Sequence, residues 1–117
     1  MNTTVGVILN QGQVTERTMT CLKLITRMLE RGVHVRVYAI DNATHHTSGS
    51  TPFARAVTEL IRSGGGRGAL TWLVDEASAE CFGLCENQTK GVVLGSASDL
   101  WNIVTASDLV LTLGVDA

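Results

Sequence analysis

Hydrophobic positions along this chain follow two alternating rhythms. Val5 to Leu9 is a near-continuous apolar run of strand length, the form taken by strands buried on both faces of a parallel sheet. A polar turn, "NQGQ" at 10–13, follows it. From Val14 a helical rhythm then puts Leu22, Ile25 and Leu29 on one face. Gly32 stands just past that helix, where a left-handed C-terminal cap is usual. Val33 to Ile40 reads as a second strand, with Val33, Val35, Val37 and Ala39 alternating with His34, Arg36, Tyr38 and Ile40. Its partly polar face predicts a place near a sheet edge or against another subunit.

The second half repeats the alternation. "DNATHHTSGS" (41–50) reads as a polar loop, and Thr51 with Pro52 as the N-cap and first position of a helix that buries Phe53, Ala56, Val57, Leu60 and Ile61. "SGGGRG" (63–68) would suit a domain boundary, but neither half could bury a core alone, so it reads as a connection into a third strand, Ala69 to Val74. Ser96 and Asp99 form a capping-box-like start for a helix that buries Leu100, Ile103 and Val104, and Leu109 to Leu113 is the last strand. Strand, helix, strand in this order predicts an α/β fold, a parallel sheet with crossover helices, as one domain over residues 1–117.

Composition narrows the function classes. The chain has 117 residues, 44% of them hydrophobic, a net charge of −2 and no basic run, so it lacks the electrostatic footprint of a nucleic-acid binder. Its apolar runs fall far short of the roughly 20 residues that span a bilayer, so no membrane partner is expected. The N-terminal "MNTTVGVILN" has neither the basic start nor the apolar length of a signal peptide, and three cysteines make an odd number. Both point to a cytoplasmic protein with reduced thiols and no disulfide framework.

Candidate chemistry gathers after the strands. In open α/β sheets, ligands bind outside the carboxyl ends of the strands, which collects Asn10, Gln11 and Gly12, the loop bearing His45 and His46, and the stretch from Asp75 through Ser78 to Cys81. If Ser78 caps a short helix, Cys81 lies in its first turn, where the helix dipole favours a thiolate. That makes Cys81 the leading nucleophile, the alternative being a small buried residue. Cys85 lies beyond Gly83, which ends or bends that helix, so a resolving role would need a flexible loop. Two cysteines with His45 and His46 could compose a Cys₂His₂ set, but the spacing is no zinc signature and no metal or other cofactor is expected. Cys21 reads as packing or interface, and Trp72 and Trp101 as core or subunit contact. The lone glycine of "NQGQ" lacks dinucleotide-binding spacing, and "SGGGRG" opens no helix, so neither cradles phosphate.

Three stretches together resemble the DsrE/DsrF-like proteins, the group that includes TusD-type subunits of sulfur relays: "LKLITRMLERGVHVRVYAID", "GALTWLV" and "KGVVLGSASDLWNIVTASDLVLTLG". The resemblance implies a three-layer α/β/α sandwich with a parallel sheet of about five strands, assembled as trimers, hexamers or mixed oligomers. It implies a sulfurtransferase-like activity in which a cysteine just after the third strand takes sulfur as a persulfide and passes it to a partner protein. Laid without gaps from Thr71 to Gly91 and Val92, the family pattern puts its glycine on Gly83 and its arginine on Phe82. Its two cysteine positions fall on Asp75 and Ser78. Some members lack the acceptor cysteine and serve as supporting subunits. The expectation is therefore a homo-oligomeric sulfur-relay protein that works through Cys81 with Cys85 as accessory, exchanging sulfur with a donor or acceptor protein, or a supporting subunit of such a complex. The alternative is a non-catalytic oligomeric or small-molecule-binding protein of the same fold.

Overall fold

A computed structural model describes residues 3–12, 15–63 and 69–113. Its elements are β1 (Thr4–Leu9), α1 (Glu16–Glu30), β2 (His34–Ala39), a 3₁₀ segment (Asp41–His45), α2 (Pro52–Ser63), β3 (Leu70–Asp75), α3 (Glu76–Cys81), β4 (Val93–Gly95), α4 (Ala97–Ala106) and β5 (Leu109–Leu113). The five strands form one sheet in the order β4-β3-β2-β1-β5, every pair parallel.

Strand periodicity divides the side chains between two cores. In register across the sheet, Val7, Val37 and Trp72 face one way with Leu111, and join Leu22, Ile25 and Leu29 of α1, Phe53 and Val57 of α2 and Ala79 of α3. The intervening residues face the other way, where Tyr38 and Leu73 pack with Ile103 of α4. Right-handed crossovers explain this split: the chain runs from β1 to β4 in one direction across the sheet and returns to β5 in the other, which moves α4 to the opposite face. Each fully buried aliphatic side chain contributes about 1.5–3 kcal/mol by leaving water.

Helix ends follow the sequence signals. Thr51 Oγ accepts from the Ala54 N–H at 3.2 Å ahead of Pro52, and Ser96 forms its reciprocal pair with Asp99, the Ser96 N–H donating to Asp99 Oδ2 at 2.8 Å. Gly32 takes φ 84°, and the N–H groups of Gly32 and Val33 close onto the carbonyls of Leu29 and Met28 to end α1. Close packing fixes another glycine: a Cβ on Gly6 would lie 2.6 Å from Ile103 Cγ2, so α4 rests directly on the β1 backbone.

Several expectations are corrected. β2 lies in the middle of the sheet, flanked by β1 and β3; its polar residues are not an edge signature. Tyr38 is fully buried under α4, Arg36 Nη1 donates to Asn102 Oδ1 at 3.0 Å, and His34 Nδ1 accepts from the Ala69 N–H at 3.1 Å. β3 runs one residue further than expected, to Asp75. Val104 is exposed, as is Trp101, because α4 is the one described helix on its face and has no neighbouring helix to turn toward. The first helix starts at Glu16 after Thr15; the proposed start at Val14, the turn residue Gln13 and most of the glycine-rich connection (64–68) lie outside the described residues.

Candidate functional site

The carboxyl ends of β1, β2 and β3 come together at one rim, tied by hydrogen bonds between their loops. β3 ends at Asp75, whose backbone turns into α3 and whose side chain caps it. Three donors converge on this carboxylate: the Tyr38 hydroxyl on Oδ1 at 2.5 Å, and the Ser78 N–H and Ser78 hydroxyl on Oδ2 at 3.0 and 2.7 Å. The Ser78 hydroxyl also accepts from the Asp41 N–H at 2.9 Å, which joins the loop after β2 to the start of α3. Asp41 holds φ 56°, a left-handed conformation that aspartate tolerates better than most residues.

Burial pushes the Asp75 carboxyl up, but the bonds from Tyr38 and Ser78 outweigh it and hold the group below its ordinary value. Tyr38 is driven the other way: burial first, then its bond to Asp75 and the charges of Asp75 and Asp99, keep its phenol protonated far above the ordinary range. The arrangement is an ionised carboxylate bonded to three donors. It positions helices and holds no free nucleophile.

The loops after β1 and β2 meet beside it. Gly12 approaches so closely that a Cβ there would lie 2.6 Å from Asn42 Cβ, and the Asn10 N–H donates to the Leu113 carbonyl at 3.1 Å, drawing the end of β5 to the same rim. The loop bearing the histidines is not the solvated segment expected from its composition. Thr44, His46 and Thr47 are buried, and Asp41–His45 coils as a 3₁₀ turn closed by the Thr44 hydroxyl on the Asp41 carbonyl at 2.9 Å. His45 is exposed with its ring 4.6 Å from that of Phe82; His46 points inward, 5.4 Å from Phe53, with Nε2 donating to the Gln11 carbonyl. Burial, offset in part by that bond, holds His46 below the ordinary histidine value.

Gln88 is a functional-region residue that sequence reasoning missed. Its amide nitrogen donates to the carbonyls of Thr44 and Leu84 at 3.1 and 3.3 Å, and its oxygen accepts from the Thr47 hydroxyl at 2.5 Å. One side chain thus fastens the histidine loop to the segment after α3. Its position in a polar run gave no periodic signal.

The cysteines are placed differently from expectation. Asp75, not Ser78, caps α3, so Cys81 is the last residue of that helix and lies away from the dipole end that favours a thiolate. The residue is exposed. Gly83 does end the helix, with φ 68° and the N–H groups of Gly83 and Leu84 donating to Glu80 and Ala79. Cys85 returns toward the other end, its Sγ 3.9 Å from the Glu76 carbonyl, whereas Cys81 lies about 7.5 Å along the axis from Glu76 at 1.5 Å of rise per residue. Burial, and then the charges of Glu80, Glu76 and Glu86, push the Cys85 thiol up. It shares an acidic cleft with Glu80 and Glu86, and all three cysteines are free. Cys21 is half-buried on α1, where burial raises its thiol as well. Among the described residues, no group of three or more His, Cys, Asp or Glu side chains could hold a metal ion.

No protein-family model matches the sequence, and no curated protein does. Solved structures do match. The ychN protein from E. coli covers 97% of this chain and 100% of its own with a TM-score of 0.79 at 17% identity. A protein of unknown function, MTH1491, from Methanobacterium thermoautotrophicum covers 95% and 99% with a TM-score of 0.78 at 11% identity. Likeness at such identities concerns the fold: the chain is a three-layer α/β/α sandwich with a five-stranded parallel sheet, the DsrE-like arrangement.

Proposed function

We propose that this chain is a supporting, non-transferring subunit of a sulfur-relay-type assembly, cytoplasmic and homo- or hetero-oligomeric, whose rim binds rather than reacts. The observation that carries this reading is Asp75. On the family pattern it stands where the acceptor cysteine would be, and here it is an ionised carboxylate with its bonds to Tyr38 and Ser78 already made. The carboxylates around Cys85 work against a second thiolate nearby. Among the described residues no helix is long and apolar enough to cross a membrane.

A second reading is favoured by one observation, the exposure of Cys81. In it, the Cys81 thiolate attacks the outer sulfur of a donor persulfide; the donor's S–S bond breaks, a new one forms on Cys81, and the donor leaves as a thiolate with no net oxidation.

Sulfur loading separates the two. The protein is incubated with glutathione persulfide, then with an acceptor thiol, and its peptides are mapped by mass. A supporting subunit gains no transferable sulfur on Cys81 or Cys85, whereas Asp75→Cys exchanges the capping carboxylate for a thiol at the N-terminal end of α3 that outpaces both. Rapid loading of Cys81 followed by complete passage to the acceptor would overturn the proposal. Sedimentation as a monomer at micromolar concentration would overturn its homo-oligomeric part.

A further inference from the structure

At the rim a pocket of about 330 Å³ opens between Gly12, Met19, the two histidines, Thr51 and the first two residues of α2, Pro52 and Phe53. That volume lies at the small end of the range for ligand sites. Most of its wall is apolar, from Met19, Pro52 and Phe53. His46 is its buried polar member, 4% exposed.

The hydrogen bonding of His46 is half complete. Nε2 meets the Gln11 carbonyl, which can only accept, so Nε2 carries the hydrogen. Burial keeps the ring neutral, which leaves Nδ1 with a lone pair and no hydrogen. Nδ1 is buried and has no partner. The side-chain oxygen of Gln11, another acceptor, is also buried and unpaired. Buried polar atoms without a partner are uncommon in folded proteins, and His46, which lines the pocket, carries one whose remedy is an incoming donor. The charge of that donor is constrained too, because the start of the twelve-residue α2 lines the pocket and its positive end disfavours a cation.

We infer that this pocket binds a small uncharged molecule with an apolar body and an N–H donor, of the primary carboxamide class, whose N–H is accepted by His46 Nδ1. The body lies against Met19, Pro52 and Phe53. The inference deepens the reading of the rim as a binding surface. Its test reads a ring nitrogen where sulfur loading reads cysteine mass, so either can fail with the other intact.

The test is a titration followed by nuclear magnetic resonance on the full chain, with propionamide as donor probe, N,N-dimethylpropionamide as a similar body without N–H, and propionate as anion. Propionamide is expected to shift His46 Nδ1 and the amides of Gly12, Thr51 and Phe53 saturably, while the other two do not. His46→Gln keeps an amide N–H for the Gln11 carbonyl and removes the Nδ1 acceptor, and is expected to weaken propionamide binding about threefold to tenfold. An equal response to the dimethyl probe, no saturable shift, a hydrogen found on Nδ1, or an ordered water there that propionamide leaves in place would each overturn the inference. Should His46→Gln fail to fold, the three probes on the unaltered chain decide the matter.

Discussion

Removing one oxygen, in Tyr38→Phe, tests the account of the strand end most directly. The ring is fully buried and stays so, while Asp75 Oδ1 loses a 2.5 Å bond from a protonated phenol. A hydrogen bond to a charged group contributes about 1.5–3 kcal/mol, and Asp75 is only partly buried, so water recovers some of it; the expected loss is about 1–2 kcal/mol. The Ser96 carbonyl, 3.0 Å from the same hydroxyl, loses a secondary contact. At about 4 °C per kcal/mol for a chain this size, Tm should fall by roughly 4–8 °C. The loss should depend on pH in a definite direction. Asp75 is held below its ordinary value in the folded state, so its bonds contribute above the unfolded value near about 3.9 and fade as pH falls through the folded one. Urea unfolding at neutral and strongly acidic pH measures both. A penalty under about 0.3 kcal/mol at neutral pH, or one that persists undiminished in acid, refutes the reasoning. So does an undiminished cost of Tyr38→Phe when Asp75→Asn is already present, because the cycle assigns the energy to that pair.

Other sites give sharper local tests by the same unfolding measurements. Gly6→Ala drives a methyl to 2.6 Å from Ile103 Cγ2 and should cost about 1–3 kcal/mol by overpacking. Gly83→Ala meets nothing within 4 Å, so its cost of about 1–2 kcal/mol should come from the left-handed backbone alone. Thr51→Ala removes the cap of α2 and should cost about 1 kcal/mol. Because burial lowers His46, the unfolded chain binds a proton more readily; stability should decline as pH falls below about 6.5, and His46→Gln should flatten that decline.

The fold was legible because its signals are periodic. Leu22, Ile25 and Leu29 mark the buried stripe of α1, and the alternation of β2 separates residues that end in two different cores. Where the reading of β2 went astray, the cause was equally physical: Arg36 and Tyr38 suggested a sheet edge or a subunit contact, yet a central strand accommodates polar groups when the helix above supplies a partner such as Asn102 for a part-exposed Arg36 and Asp75 on the next strand supplies one for the buried Tyr38. At the site, strand-end logic located Gln11, Gly12, His46, Asp75 and Ser78 in one neighbourhood. The cap was misassigned because aspartate and serine at 75 and 78 are both good caps, and only the backbone tells which one precedes the first helical turn. Tyr38 and Gln88 escaped notice since their roles depend on partners 37 to 58 and 41 to 44 positions away.

The chain leaves β3 toward one helical layer and leaves β4 toward the other, and the Tyr38 oxygen stands where the two routes part, within reach of both Asp75 and Ser96. A single phenol therefore couples the footing of α3 to that of α4. The two layers, though built on opposite faces of the sheet, thus share one fastening point at the ends of β3 and β4.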